Sequence, residues 1–277
     1  MSRGRKLEGL EDYKRALRNK YGLGVGSEYK PWLRVQDVKS RGKSSKIQGI
    51  KSDREHHTLS KNETQFFYIA EFADSVIDIR EQFPLIPLDL SLKISNTIGV
   101  EHPKVPTTGE LSVITTDFLV TRKKHGEIWH EAYNVKPEDD LNNLRVLEKI
   151  DIERVWWELL DIHFFEFSPT PLTEIQSKNI SWATDPIRHS VNPITESHFT
   201  NLELIARTLK TGRYLIEEVC QIVKSIDILP DQDPLNTIKS LIATKFITVD
   251  ITQPIYNSDI LYILAINTRP KRLANEN

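Results

Sequence analysis

The 277-residue sequence contains one cysteine, Cys220. A lone thiol excludes an internal disulfide and suits a reducing compartment. Cys220 falls in a helical pattern and reads as a small core residue. No apolar run approaches the roughly 18 residues that a membrane-spanning helix needs. The opening stretch MSRGRKLEGLEDYKRALRNK lacks the apolar segment of a secretory leader. A cytoplasmic location is therefore expected, with no membrane partner. Excess charge of one sign is also missing: the net charge is −2, which argues against an indiscriminate polyanion binder. Eight histidines are present, but none has the spacing of a metal-binding pair, and His56 and His57 are adjacent, too close to share one face. The one Gly-rich run, GLGVG at residues 22–26, has no strand before it and no clear helix after it. It reads as a flexible turn rather than a phosphate-cradling loop.

What the chain does have is uneven charge. Residues 1–60 carry 15 Lys and Arg against 7 Asp and Glu, a net of +8, and the remainder carries −10. Such asymmetry suggests a polyanion-binding N-terminal region attached to a body with other work. The basic residues cluster at Lys39, Arg41, Lys43, Lys46, Lys51 and Arg54, where Asp53 is the one acid and Ser and Gly lie between. That composition suits a loop or short hairpin lying on a phosphate backbone. A solvated basic arm is the plainer reading.

With 39% hydrophobic and 27% charged residues, the chain is globular and long enough for two domains. TLSKNETQFFYIAEFADS starts a helix: Ser60 has the N-cap position and Glu63 the matching third position of a capping box. Phe66, Phe67, Ile69 and Ala70 form its buried side. SVIDIREQFPLIP is a strand ended by prolines, and residues 89–110 read as a polar excursion. LSVITTDFLVTR and EIWHEAYNVK are strands joined by a turn at KKHG. LNNLRVLEKIDIERVWWELL is an amphipathic helix and IHFFEFS a fourth strand. The order predicts an α/β core around a mixed sheet. Prolines and small polar residues near 168–175 mark a boundary, giving domains at 1–171 and 172–277. In the second, two helices around a Thr-Gly turn, a third helix and two strands suggest a winged-helix-like module.

One carboxylate interrupts a strand that is otherwise suited to burial. Alternation puts Val113, Thr115, Asp117 and Leu119 on one face, and His130, Ala132, Asn134 and Lys136 on one face of the next strand. Asp117 then lies beside Asn134 and Lys136. A half-buried carboxylate is costly alone and sensible beside a divalent cation with oxygen ligands, such as Mg²⁺. Glu63 is the candidate second carboxylate. Lys136 then orients the attacking water or stabilises charge on a phosphate. Ordinary alternatives stand beside these roles: a capping box for Glu63, a cross-strand ion pair for Asp117 and Lys136, a turn contact for Asn134. Glu148 and Glu153 belong to an acidic run that reads mainly as a solvated face.

The segments EYKPWLRVQDV, SRGKSSKIQGIKSDREHHTLSKNET, SVIDIREQFPL, TTDFLV, NVKP and LEKIDIERVWW, in this order, resemble the TnsA family, the endonuclease subunit of heteromeric bacterial transposases. DIREQFPL is the most specific of them. The resemblance implies a catalytic domain like a type II restriction endonuclease. Glu63 matches the helix-borne catalytic glutamate, Asp117 the metal-binding aspartate and Lys136 the catalytic lysine. Asn134 stands where the general nuclease pattern has Glu; its amide oxygen can still ligate a metal but brings no charge, so retention of the ion should depend partly on the DNA phosphate. The resemblance further implies two Mg²⁺ ions, replaceable by Mn²⁺, held by Glu63, Asp117 and Asn134. It implies hydrolysis at the 5′ ends of a transposon, a TnsB-like transposase acting on the 3′ ends, and a TnsC-like ATP-dependent regulator contacting the C-terminal domain. The rival readings are a stand-alone restriction or repair nuclease and a non-enzymatic winged-helix regulator.

Overall fold

The computed structural model describes residues 4–38, 43–190, 195–226, 228–229, 232–256 and 258–268. The chain divides into two compact units, Met1–Pro169 and Thr170–Asn277. No helix among the described residues is long and apolar enough to cross a membrane.

The first unit runs α1 (Leu10–Arg18), β1 (Ser45–Gln48), β2 (Glu55–Thr58), α2 (Lys61–Phe72), β3 (Val76–Pro84), α3 (Leu88–Thr97), β4 (Thr115–Lys124), β5 (Glu127–Val135), α4 (Leu144–Glu158) and β6 (His163–Phe167). Four strands form a mixed sheet in the order β3-β4-β5-β6, antiparallel except for the β5–β6 pair. A parallel neighbour needs a crossover, and α4 supplies it. The β4–β5 hairpin turns on His125 and Gly126, both at positive φ, as a two-residue connection requires.

The sheet is covered on both faces. Phe66, Phe67 and Ala70 of α2 pack with Ile79, Phe118, Val120 and Val135, and the Phe66 ring lies 4.8 Å from Phe118 and 4.7 Å from Tyr133. Ile152, Trp156 and Trp157 of α4 pack with Leu119, Ala132 and Ile94 on the other side. Each fully buried side chain of this size contributes about 1.5–3 kcal/mol, so both helices are held by their apolar stripes rather than by propensity.

Two expectations fail here. Residues 89–110 are not all irregular, because α3 forms at their start and buries Ile94 with Leu90 and Ile98 alongside. Strict alternation also breaks down in β4: Thr116 hydrogen-bonds the indole of Trp157, yet Leu119 packs on the same α4 layer. The neighbouring strand explains this. Gln82, between the paired residues Glu81 and Phe83, takes φ +49 and forms no ladder pair. A left-handed residue interrupts the pleat, and side chains beyond it change face.

The second unit runs α5 (Pro171–Arg188), α6 (Glu196–Ala206), β7 (Gly212–Leu215), α7 (Ile216–Ile226), α8 (Pro234–Ala243), β8 (Ile247–Val249) and β9 (Ile260–Ile266). Its sheet has the order β7-β9-β8 with both pairs antiparallel. The core joins Leu202 and Ile205 of α6, Val219 of α7, Leu241 of α8 and Leu261 of β9; Cys220 packs at its edge. The expected Thr-Gly turn between two helices is instead the entry to a strand, since Gly212–Leu215 pairs with Ile260–Ile263.

Candidate active site

Ser60 caps α2 by accepting the Glu63 N–H at 3.1 Å. The Glu63 carboxylate returns to accept the Leu59 N–H at 2.8 Å and the Ser60 hydroxyl at 2.9 Å. This fixes the α2 start, and because Glu63 precedes Phe66 and Phe67 by three and four residues it shares their inward face. Glu63 thus combines the capping role with a place at the sheet, and it is buried.

Asp117 is buried in the middle of the same region. Its Oδ2 accepts the Val135 N–H at 2.7 Å and the Lys136 ammonium at 2.9 Å. Lys136 lies one residue beyond β5, and its Nζ also donates to the Val135 carbonyl at 3.1 Å. The expected meeting of Glu63, Asp117 and Lys136 is completed by Gln82, whose Nε2 donates to Glu63 at 3.3 Å and to Asp117 at 3.4 Å. Gln82 falls inside the segment DIREQFPL, but nothing local to that segment singles it out as a site residue.

From the other face, Glu153 of α4 accepts from Asn134 Nδ2 at 3.2 Å and from Thr116 at 3.1 Å. Glu153 is buried, while Glu148 pairs with Arg145 at 2.7 Å on the outside of the helix. The acidic run on α4 therefore contributes one interior residue. Its position, three and four residues before Trp156 and Trp157, is the signal that marks it as inward-facing.

Crowding of carboxyls in low dielectric sets their protonation. Burial, then the Asp117 charge, pushes Glu63 up to about 7. The same two causes push Glu153 up to about 8. Burial opposes the Lys136 ammonium, but the Asp117 carboxylate beside it outweighs burial and raises its pKa above the ordinary lysine value. Asp117 thus favours the charged form of Lys136. In that form Lys136 supplies positive charge and hydrogen-bond donors.

The donor set suits a hard divalent cation. Asn134 spends its amide N–H on Glu153 and leaves Oδ1 buried without a hydrogen-bond partner. An oxygen so placed is a ready ligand, as are Glu63, Asp117 and the Val135 carbonyl. Among the described residues no three His, Cys, Asp or Glu side chains cluster closely enough to hold a metal by themselves. An ion held by Glu63 and Asp117 would need further oxygens from amide, backbone, water or phosphate groups.

The basic segment divides. Lys39 and Arg41 lie outside the described residues. Lys43 and Lys46 are exposed, with Lys46 paired to Glu55 at 2.7 Å across the β1–β2 hairpin. Lys51 and Arg54 serve the interior instead of phosphate. The Lys51 ammonium donates to the carbonyls of Ala73 and Val76 at 2.5 and 2.6 Å, closing the end of α2. Arg54 is buried and grips Glu81 through both terminal nitrogens at 2.8 and 2.6 Å. Glu81 also receives the His56 ring and the His57 N–H. Burial would raise the Glu81 pKa, but His56 and Arg54 hold it well below the usual carboxylate range. Ser52 Oγ lies 2.6 Å from the far nitrogen of His56, so Ser52, His56 and Glu81 have the connectivity of a hydrolase triad. It is sealed: a Cβ on Gly49 would sit 2.7 Å from that nitrogen and 2.8 Å from Ser52 Oγ. With Arg54 on Glu81 and no room at Ser52, the group is a buried anchor for the hairpin.

Residues 73–168 match the family described as TnsA-like endonuclease N terminal. The transposon Tn7 transposition protein TnsA of Escherichia coli is 36% identical over 244 residues, covering 86% of this chain and 85% of the relative. The chain belongs to the TnsA family. The family match spans β3 to β6 and so contains Gln82, Asp117, Asn134, Lys136 and Glu153. Glu63, on α2, lies before the matched residues.

Proposed function

We propose that this TnsA-family chain is the endonuclease subunit of a heteromeric transposase and cuts the 5′ strand at transposon ends by metal-dependent phosphodiester hydrolysis. The observation that carries the reading is the convergence of Glu63 and Asp117, linked by one amide, with the Lys136 ammonium 2.9 Å from Asp117. Endonucleases of this kind are generally dependent on a divalent metal. Glu63, Asp117 and the Asn134 carbonyl oxygen would hold Mg²⁺, replaceable by Mn²⁺, as two ions. The metal supplies Lewis-acid polarisation of the scissile phosphate and a more acidic water. Lys136 adds fixed positive charge where negative charge builds on the phosphate. Asp117 keeps that ammonium protonated and oriented, and the Val135 N–H keeps Asp117 in place. Glu153, bonded to Asn134, sets the direction of the Asn134 amide.

Lys43 and Lys46, together with Lys39 and Arg41, track the DNA backbone without reading bases. The second unit, in which α5 is followed by the order helix, strand, two helices and two strands from α6 to β9, suits a winged-helix-like module. Its place is contact with a TnsC-like ATP-dependent regulator, while a TnsB-like transposase processes the 3′ ends. The setting is the bacterial cytoplasm. The test is strand-specific cleavage of transposon ends by the reconstituted system with wild type and Lys136→Ala. Loss of 5′ cuts with 3′ processing intact is expected; undiminished 5′ cutting overturns the assignment.

A further inference from the structure

The left-handed backbone of Gln82 belongs to the fold, but the place of its side-chain amide, between two carboxylates, is not explained by the fold or by capping. Gln82 is 2% exposed and takes φ +49, a conformation that an L side chain other than Asn or Asp adopts at some cost. Its Oε1 accepts the Thr115 hydroxyl at 3.0 Å. That contact fixes the amide so that Nε2, the donor end, faces Glu63 and Asp117. Both carboxylates are already oriented by other groups, Glu63 by Leu59 and Ser60, Asp117 by Val135 and Lys136. Gln82 is therefore not needed to aim them. What its N–H groups supply is partial positive charge between two carboxyls that otherwise repel.

We propose that Gln82 is a built-in competitor for the divalent ion, occupying the carboxylates in the metal-free protein and lowering the site's intrinsic metal affinity. The inference rests on the metal-dependent reading of Glu63 and Asp117. An entering cation must displace donors that cannot themselves ligate a cation, so the free energy of those hydrogen bonds is subtracted from ion binding. Asn134 in place of a carboxylate works in the same direction, since it contributes an oxygen without charge. Ion retention then depends on the negative charge that the DNA phosphate brings, and metal loading is coupled to substrate binding. The two hydrogen bonds are long, so their combined net worth corresponds to about one tenfold step in affinity.

The experiment is calorimetric titration of the full chain with Mn²⁺, without DNA and again with a non-cleavable transposon-end duplex. Gln82→Met removes the donors while keeping chain length and backbone preference; Gln82→Gly removes them and relieves the positive φ. Both are expected to bind Mn²⁺ about tenfold more tightly than wild type without DNA, with a smaller gain on adding the duplex. Thermal melts in EDTA establish that each variant is folded before titration. Unchanged or weaker Mn²⁺ binding by folded Gln82→Met and Gln82→Gly overturns the proposal. Asp117→Asn separates the two levels: if it retains wild-type Mn²⁺ affinity, the metal centre itself is misassigned. If it loses binding while the Gln82 variants do not gain it, only the competitor role fails.

Discussion

Glu153→Gln isolates the electrostatic strain of the site from its chemistry. The carboxyl is fully enclosed, and its pKa rises from 4.5 to about 8. Below pH 4.5 it is protonated in both the folded and the unfolded chain and contributes no pH dependence. Above that, the unfolded chain gives up the proton first, so stability falls as pH rises. The fall is complete near pH 8, where the folded carboxyl ionises too. A rise of this size corresponds to on the order of 5 kcal/mol. Glu63, raised to about 7, adds a decline of the same sign that ends lower. Gln fills the same volume, keeps an acceptor for Thr116 and Asn134, and does not titrate. The metal-free variant should match wild type within about 1 kcal/mol at pH 5 and exceed it by several kcal/mol at pH 8. Urea unfolding in EDTA from pH 5 to 8.5, followed by tryptophan fluorescence, measures this. Trp32, Trp129, Trp156 and Trp157 belong to the first unit and Trp182 to the second, so the signal is weighted toward the domain in question. Parallel pH profiles for the two proteins would refute the assignment of a strained neutral carboxyl.

Three further outcomes are expected. Arg54→Ala leaves Glu81 buried and uncompensated and should destabilise the first unit by about 3–5 kcal/mol, read as a lower urea midpoint; a change under 1 kcal/mol would place Glu81's compensation elsewhere. Lys43→Glu with Lys46→Glu should weaken DNA binding equally for all sequences and reduce the salt slope by about one unit for each phosphate no longer neutralised, whereas Lys51→Ala should lower stability and leave that slope unaltered. Lys136→Ala should reduce cleavage of the 5′ strand by about 10²- to 10³-fold in a variant that a cooperative thermal melt shows to be folded.

The parts of this fold that are legible in the sequence are those with one strong local signal. Ser60 and Glu63 announce the start of α2, and His125-Gly126 the hairpin. The apolar runs at 115–120 and 128–135 mark the two central strands. Helix α3 is hidden because Leu88, Leu90, Leu92 and Ile94 alternate with Asp89, Ser91, Lys93 and Ser95, a period of two. The helix tolerates the buried serines because Ser91 and Ser95 bond backbone carbonyls within its own turns. Strand β7 is four residues long and is set by its partner β9, which no local pattern reveals. Asp117 and Lys136 can be brought near each other from the sequence because a two-residue hairpin fixes the register of β4 on β5, even though alternation does not hold along the whole of β4. Arg54 looks like a phosphate contact for a general reason: composition reports charge, and only tertiary structure reports whether an acid such as Glu81 waits inside for it. Gln82 and Glu153 stay inconspicuous because each gains meaning from residues distant in the chain.

Glu63 both caps the start of a helix and faces the sheet, and this ties chain length to chemistry. Each residue added to an α-helix rotates the remainder of the helix by about 100°. A single insertion or deletion between Thr58 and Glu63 would unseat the cap and at the same time swing the carboxylate out of line with Asp117. The stretch joining β2 to α2 is therefore a ruler that permits no change in length, whereas the surface loop around Thr107 and Gly109 can lengthen or shorten without moving any group that the reaction needs.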